Sequence, residues 1–130
     1  MNRVVHFEIQ AGEPERAMKF YKEVFGWDFQ QWGEQKYWMV MTADKDSKEP
    51  GINGGLLPRP GTTAPQACGA NAFVCTVQVE NFDEIAKKIE AAGGAVAMPK
   101  FAIPKMAWQG YFVDTEGNTF GVHQQDENAQ

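Results

Sequence analysis

A chain of 130 residues, 43% hydrophobic and 22% charged, has the size and balance of one folded domain with a core of its own. Its net charge of −5 argues against nucleic-acid partners, which are held by basic faces. No apolar run is long enough to span a membrane, and the opening MNRVVHFEIQ alternates where an export signal would be continuously apolar, so a cytoplasmic protein without membrane partners is expected.

In chain order, residues 4–10 alternate Val5, Phe7 and Ile9 with His6, Glu8 and Gln10, the pattern of a half-buried strand. Pro14 suits the first position of a helix, and Ala17, Phe20, Tyr21 and Val24 give it one apolar face. Gly26 is placed to end it in a left-handed cap. Strands follow near residues 27–32 and 36–42, turning at Gly33. A polar loop, residues 43–50, leads to a short strand at 52–57.

The segment PRPGTTAPQACGAN, residues 58–71, reads as a linker. After it the plan repeats. A strand over residues 73–79 precedes a helix with Asn81 as N-cap, Glu84 closing a capping box, and Phe82, Ile85, Ala86 and Ile89 on one face. Gly93 and Gly94 end that helix, and strands near 95–98, 108–114 and 118–124 complete the unit, with a long loop over residues 99–107. The expectation is one domain over residues 1–130 in the α+β class. It is built from two βαβββ modules, about 1–58 and about 72–125. A single-helix module of this size rarely buries a core alone. The modules are therefore expected to pair into a curved, partly open mixed sheet around a cavity, with the helices outside.

Several side chains qualify for a site. Trp38, Trp108 and Tyr111 lie on strands or beside the 99–107 loop, suited either to stacking on a planar ligand or to the core. Gly54 and Gly55, in GINGG, suit close approach of a ligand or a partner chain. Cys68 and Cys75 read as reduced thiols, Cys75 as a small core residue, and Met39 and Met41 as core. Lys87 and Lys88 fit a solvated helix face. No nucleophile–base pair and no phosphate loop can be read.

His6 at the head of the first strand, FYKEVFGW at residues 20–27 and DTEGN at residues 114–118 together resemble the vicinal oxygen chelate superfamily, which includes glyoxalases, bleomycin resistance proteins and extradiol dioxygenases. Thr115 stands where that family's turn has proline. Metal-dependent members of such a family carry four ligands on inner strand faces. The resemblance places these at His6, at Gly54 or Gly55, at Val74 and at Gly121, so only one ligand type is retained. One imidazole does not hold a catalytic divalent ion, which takes about three protein ligands.

The reading that follows is a metal-independent, cofactor-free protein that binds a small organic molecule in its cavity. His6 and Glu8 are its candidate acid–base groups, and Trp38, Trp108, Tyr111, His123, Gly54 and Gly55 its candidate ligand contacts. The alternative is a lyase, isomerase or dioxygenase with a divalent metal on His6, Glu8 and His123, a two-histidine, one-carboxylate set. A non-catalytic interaction module is a third class. The resemblance also implies a homodimer, with the 58–71 linker long enough for exchange of modules.

Overall fold

The computed structural model describes residues 4–61 and 74–130. Cys68, most of the expected linker and Phe73 lie outside them. The chain forms two compact units, Met1–Thr63 and Ala64–Gln130.

In the first unit, strand β1 (Phe7–Ala11) is followed by helix α1 (Pro14–Phe25) and strands β2 (Asp28–Gln31), β3 (Trp38–Met41) and β4 (Gly54–Pro58). The sheet order is β1-β4-β3-β2, with β1 parallel to β4 and the other pairs antiparallel. Pro14 opens α1, where a missing N–H costs nothing. Gly26 closes it at φ 73°, donating its N–H to the Lys22 carbonyl at 2.9 Å. The helix buries Ala17, Phe20, Tyr21 and Val24, the stripe expected from its 3.6-residue period. The buried apolar side chains that strands contribute to this unit's core are Ile9, Ala11, Val40 and Leu56. Trp27 stacks on Tyr21 with ring centroids 5.1 Å apart, which ties the helix end to the chain beyond it.

The second unit repeats the plan with strand β5 (Thr76–Gln78), helix α2 (Phe82–Ala91) and strands β6 (Ala95–Ile103), β7 (Ala107–Val113) and β8 (Thr119–Gln125). Its order, β5-β8-β7-β6, has the same one parallel and two antiparallel pairings. Asn81 caps α2, its side-chain oxygen accepting the Glu84 N–H at 3.1 Å. The Phe82 N–H donates to Gln124 Oε1 at 2.7 Å, so the helix start is tied to β8. Phe82 packs on Phe112 with centroids 5.9 Å apart, over a core that includes Ile89, Phe120 and Val122. The DTEGN segment is a structural turn. Asp114 Oδ1 accepts the N–H groups of Glu116 and Asn118 at 2.8 and 2.9 Å, with Asp114 itself buried. The α+β class and the doubled βαβββ plan are as the sequence implies.

Three expectations are corrected. Most of the loop expected over residues 99–107 is strand, because β6 runs on to Ile103. Pro99 is tolerated there because β6 is an edge strand and its pairing to β7 is irregular on both sides of Met98. Cys75 is exposed, not core. Met39 and Met41 are half-buried, since they lie on the sheet face away from Val40.

In urea unfolding, Phe20→Ala should cost about 3–5 kcal/mol as a large-to-small change in a fully buried place. Asn81→Ala should cost only about 1 kcal/mol, the worth of one N-cap.

Candidate functional site

Each sheet has one face that buries apolar side chains and one that carries polar groups, and cross-strand partners share a face. In the first unit Glu8 pairs with Gly55, and Gly55 with Met39. In the second unit Thr76 pairs with Gly121, and Gly121 with Tyr111. Gly55 and Gly121 are therefore equivalent positions of the repeat, each on the polar face of a central strand. Gly54 is on the other face, where a Cβ would meet the Phe7 carbonyl and ring at 2.5 and 2.7 Å. The register thus singles out Gly55 of the two glycines as the one that faces the polar groups.

Neither equivalent glycine leaves an empty place. A Cβ at Gly55 would fall on the hydroxyl and ring of Tyr37. A Cβ at Gly121 would meet Thr76 Oγ1, Gln109 Nε2 and the Tyr111 ring at 2.5, 2.9 and 3.2 Å. Tyr37 and Gln109 also correspond, since each stands two residues before the residue that pairs with its glycine.

Around Gly55 the phenol of Tyr37 joins two candidate acid–base groups. Its oxygen is 2.9 Å from His6 Nε2, and the Glu8 carboxylate acts on it from nearby. A phenol has one proton, and an ionised carboxylate can only accept. Which of the phenol and His6 Nε2 donates depends on the imidazole tautomer. Burial first, then the neighbouring Glu8 carboxylate, push the Tyr37 pKa above the usual 10.0. Tyr37 was not singled out from the sequence, although its separation from Met39 by two residues would have placed it on the face of Gly55.

In the second unit His123 Nδ1 donates to Gln109 Oε1 at 2.8 Å. Gln109 is only 5% exposed. Tyr111 shares this face, paired with Gly121. The two tryptophans do not. Trp38 pairs with buried Leu56 on the helix side of its sheet. Trp108 alternates with Gln109 onto the face of Phe112, where its indole N–H donates to Asp126 Oδ2 at 2.9 Å. Lys100 Nζ lies 4.5 Å from the Trp108 ring centre and bonds Asp83 at 3.1 Å. These partners account for Trp108 without a ligand. The Asn128 backbone N–H and the Trp108 indole, with Lys100 nearby, hold the Asp126 carboxyl below its usual range.

The fold and these turns define a class. The family model for the Glyoxalase/Bleomycin resistance protein/Dioxygenase superfamily matches residues 3–122, and the chain belongs to that superfamily. Fosfomycin resistance protein FosX from Listeria monocytogenes is similar in structure, with a TM-score of 0.72 at 14% identity over 97% of this chain and 95% of that one. A glyoxalase-related enzyme from Fulvimarina pelagi gives a TM-score of 0.69 at 18% identity, covering 96% and 89%. TioX from Micromonospora sp. ML1 gives 0.67 at 18%, covering 96% and 100%. At such identities the likeness carries the fold alone. No curated protein matches the chain.

The residues present do not fit the metal that the superfamily implies. Of the four ligand positions, Gly55, Val74 and Gly121 offer no donor atom, and the polar-face space at both glycines is taken by neighbouring side chains. Among the described residues no three His, Cys, Asp or Glu side chains group as a metal site.

Two outcomes check this geometry. Gly55→Ala should destabilise the protein by about 1–3 kcal/mol as an overpacking change, and Tyr37→Ala in the same chain should recover part of that loss. In an alkaline absorbance titration the component removed by Tyr37→Phe should ionise above pH 10.0. Because that pKa is raised in the folded state, the stability it brings is complete below the unfolded value. It is lost as pH rises through the folded one.

Proposed function

We propose that this chain is a metal-independent member of the superfamily that binds a small organic molecule on the polar faces of its sheets. The observation that supports it best is the filling of both equivalent glycine positions by hydrogen-bonded side chains, Tyr37 in one unit and Gln109 in the other. A discarded ligand position with no further use would leave a gap or an arbitrary neighbour. Here each position seats a group that orients a histidine. Polar groups held in fixed directions beside apolar Tyr111 and Met39 are what a pocket needs for orientation and specificity. The proposed assembly is a homodimer.

A second reading has its own support. His6, bonded to Tyr37, and the Glu8 carboxylate beside them suit proton transfer to and from a bound molecule, with His6 or Glu8 as the acid–base group. If turnover is found, Glu8→Gln should abolish it while Trp108→Phe leaves it intact.

Native mass spectrometry of the purified protein, repeated with Zn²⁺, Ni²⁺, Fe²⁺ and Mn²⁺, should show dimers without stoichiometric metal. One retained ion per chain overturns the metal-independent reading. Amide chemical shifts recorded against a library of small organic compounds should move on β1, β3, β7 or β8. A library that moves none of them overturns small-molecule binding.

A further inference from the structure

The two polar faces differ in charge. In the first unit the face holds Glu8 and, through its pairing with Met41, Asp28. In the second unit it is built from Thr76, Gln78, Gln109, Tyr111 and His123. None of the register positions sharing that face across β5, β8, β7 and β6 carries Asp, Glu, Lys or Arg. Phe101 pairs with Gln109 and extends the same face, and Met98 stands opposite Tyr111 where the pairing is irregular; they are 38% and 49% exposed. In a chain where 22% of residues are charged, this surface combines exposed apolar side chains with uncharged hydrogen-bonding groups.

The histidine on that face has a fixed direction. With His123 Nδ1–H donating to Gln109 Oε1, the other nitrogen of a neutral imidazole is an acceptor. Gln109 is held in turn by burial, with its amide nitrogen in the volume that any Cβ at Gly121 would occupy. Gly121 is thus the condition for the placement of Gln109, and Gln109 for the tautomer of His123.

We infer that Gln109 is a positioning residue that presents His123 Nε2 as a hydrogen-bond acceptor, and that the polar face of the second unit takes an uncharged aromatic molecule bearing an O–H or N–H donor. This rests on the small-molecule reading above and names its ligand class. The donor bonds Nε2, while the ring lies against Tyr111 and the exposed Met98 and Phe101. A charged ring of the same size finds no counter-charge on this face and loses hydration without compensation.

The test has two parts. Without ligand, nitrogen shifts of the two histidine rings, assigned with a His6→Gln chain, should show His123 protonated on Nδ1. Gln109→Leu should abolish that preference, and Gln109→Glu, which keeps an acceptor oxygen, should retain it. His123 protonated on Nε2 in the unaltered protein, or no change in Gln109→Leu, overturns the role of Gln109. If Gln109→Leu fails to fold, the unaltered protein and Gln109→Glu still decide the tautomer. With ligand, phenol and benzamide should shift the His123 ring and the Thr76 and Tyr111 amides, at least about tenfold more tightly than benzoate or benzylammonium, a difference of about 1.4 kcal/mol. Equal or tighter binding of a charged ring at these residues overturns the ligand class but leaves small-molecule binding standing. A protein that responds to none of these probes overturns the ligand class. Only the wider library can overturn small-molecule binding itself.

Discussion

The absence of a β-carbon at Gly55 and Gly121 is the constraint on which both polar faces depend. In a sheet, residues that share a face on adjacent strands compete for one layer of volume above the backbone. At these two positions the layer is given to a side chain reaching across from the neighbouring strand. Glycine inside a strand costs about 0.5–1 kcal/mol against alanine. Tyr37 gains its bond to His6 in return, and a typical bond contributes about 1 kcal/mol net. The arrangement is therefore near neutral in stability, and what it contributes is direction. His6 is turned by Tyr37, and His123 by Gln109.

The repeat makes this more than a local accident. The strand order and the parallel pairing of first and last strands are the same in both units, so position can be compared with position. Glu8 corresponds to Thr76, Met39 to Tyr111 and Tyr37 to Gln109. The backbone device is common to both units, while its chemistry has diverged. One face joins a phenol to an imidazole beside a carboxylate, and the other joins an amide to an imidazole. The first is suited to moving or sharing a proton, the second to recognising a neutral group. Because the same pairing pattern supports both, the sheet sets where a side chain stands and leaves its function to residue type.

The fold was legible wherever the signal was local. Pro14, Gly26 and the Asn81–Glu84 pair mark helix ends through backbone chemistry within four residues, and the apolar stripes of α1 and α2 follow from one period. Signals that depend on pairing were not legible. Residues 51–55 do not say which glycine faces the polar groups; the register with β1 does. Residues 99–107 read as a loop, yet an irregular edge strand accommodates Pro99 and runs on to Ile103. Trp38 drew attention by size, while the face belonged to Tyr37 beside it. His6, Glu8, His123 and Tyr111 were legible as site candidates because strand alternation alone puts them opposite the apolar set. Gln109 carries no composition signal at all and is visible only through its burial and its bond to His123.

Membership of the superfamily fixes a scaffold, and similarity at 14–18% identity fixes nothing finer. The chemistry must then be argued from the positions where the scaffold usually holds its metal. Loss of one donor would weaken a metal site and leave the rest in place. Here three of the four positions have no donor, and the two on the central strands are filled by oriented polar groups. Returning glutamate to position 55 or 121 would not rebuild a site, since Tyr37 in one unit, or Thr76 and Gln109 in the other, already occupies the volume its side chain would need. The interior of these faces is committed to hydrogen bonds among the protein's own groups, Tyr37 with His6 in one unit and Gln109 with His123 in the other.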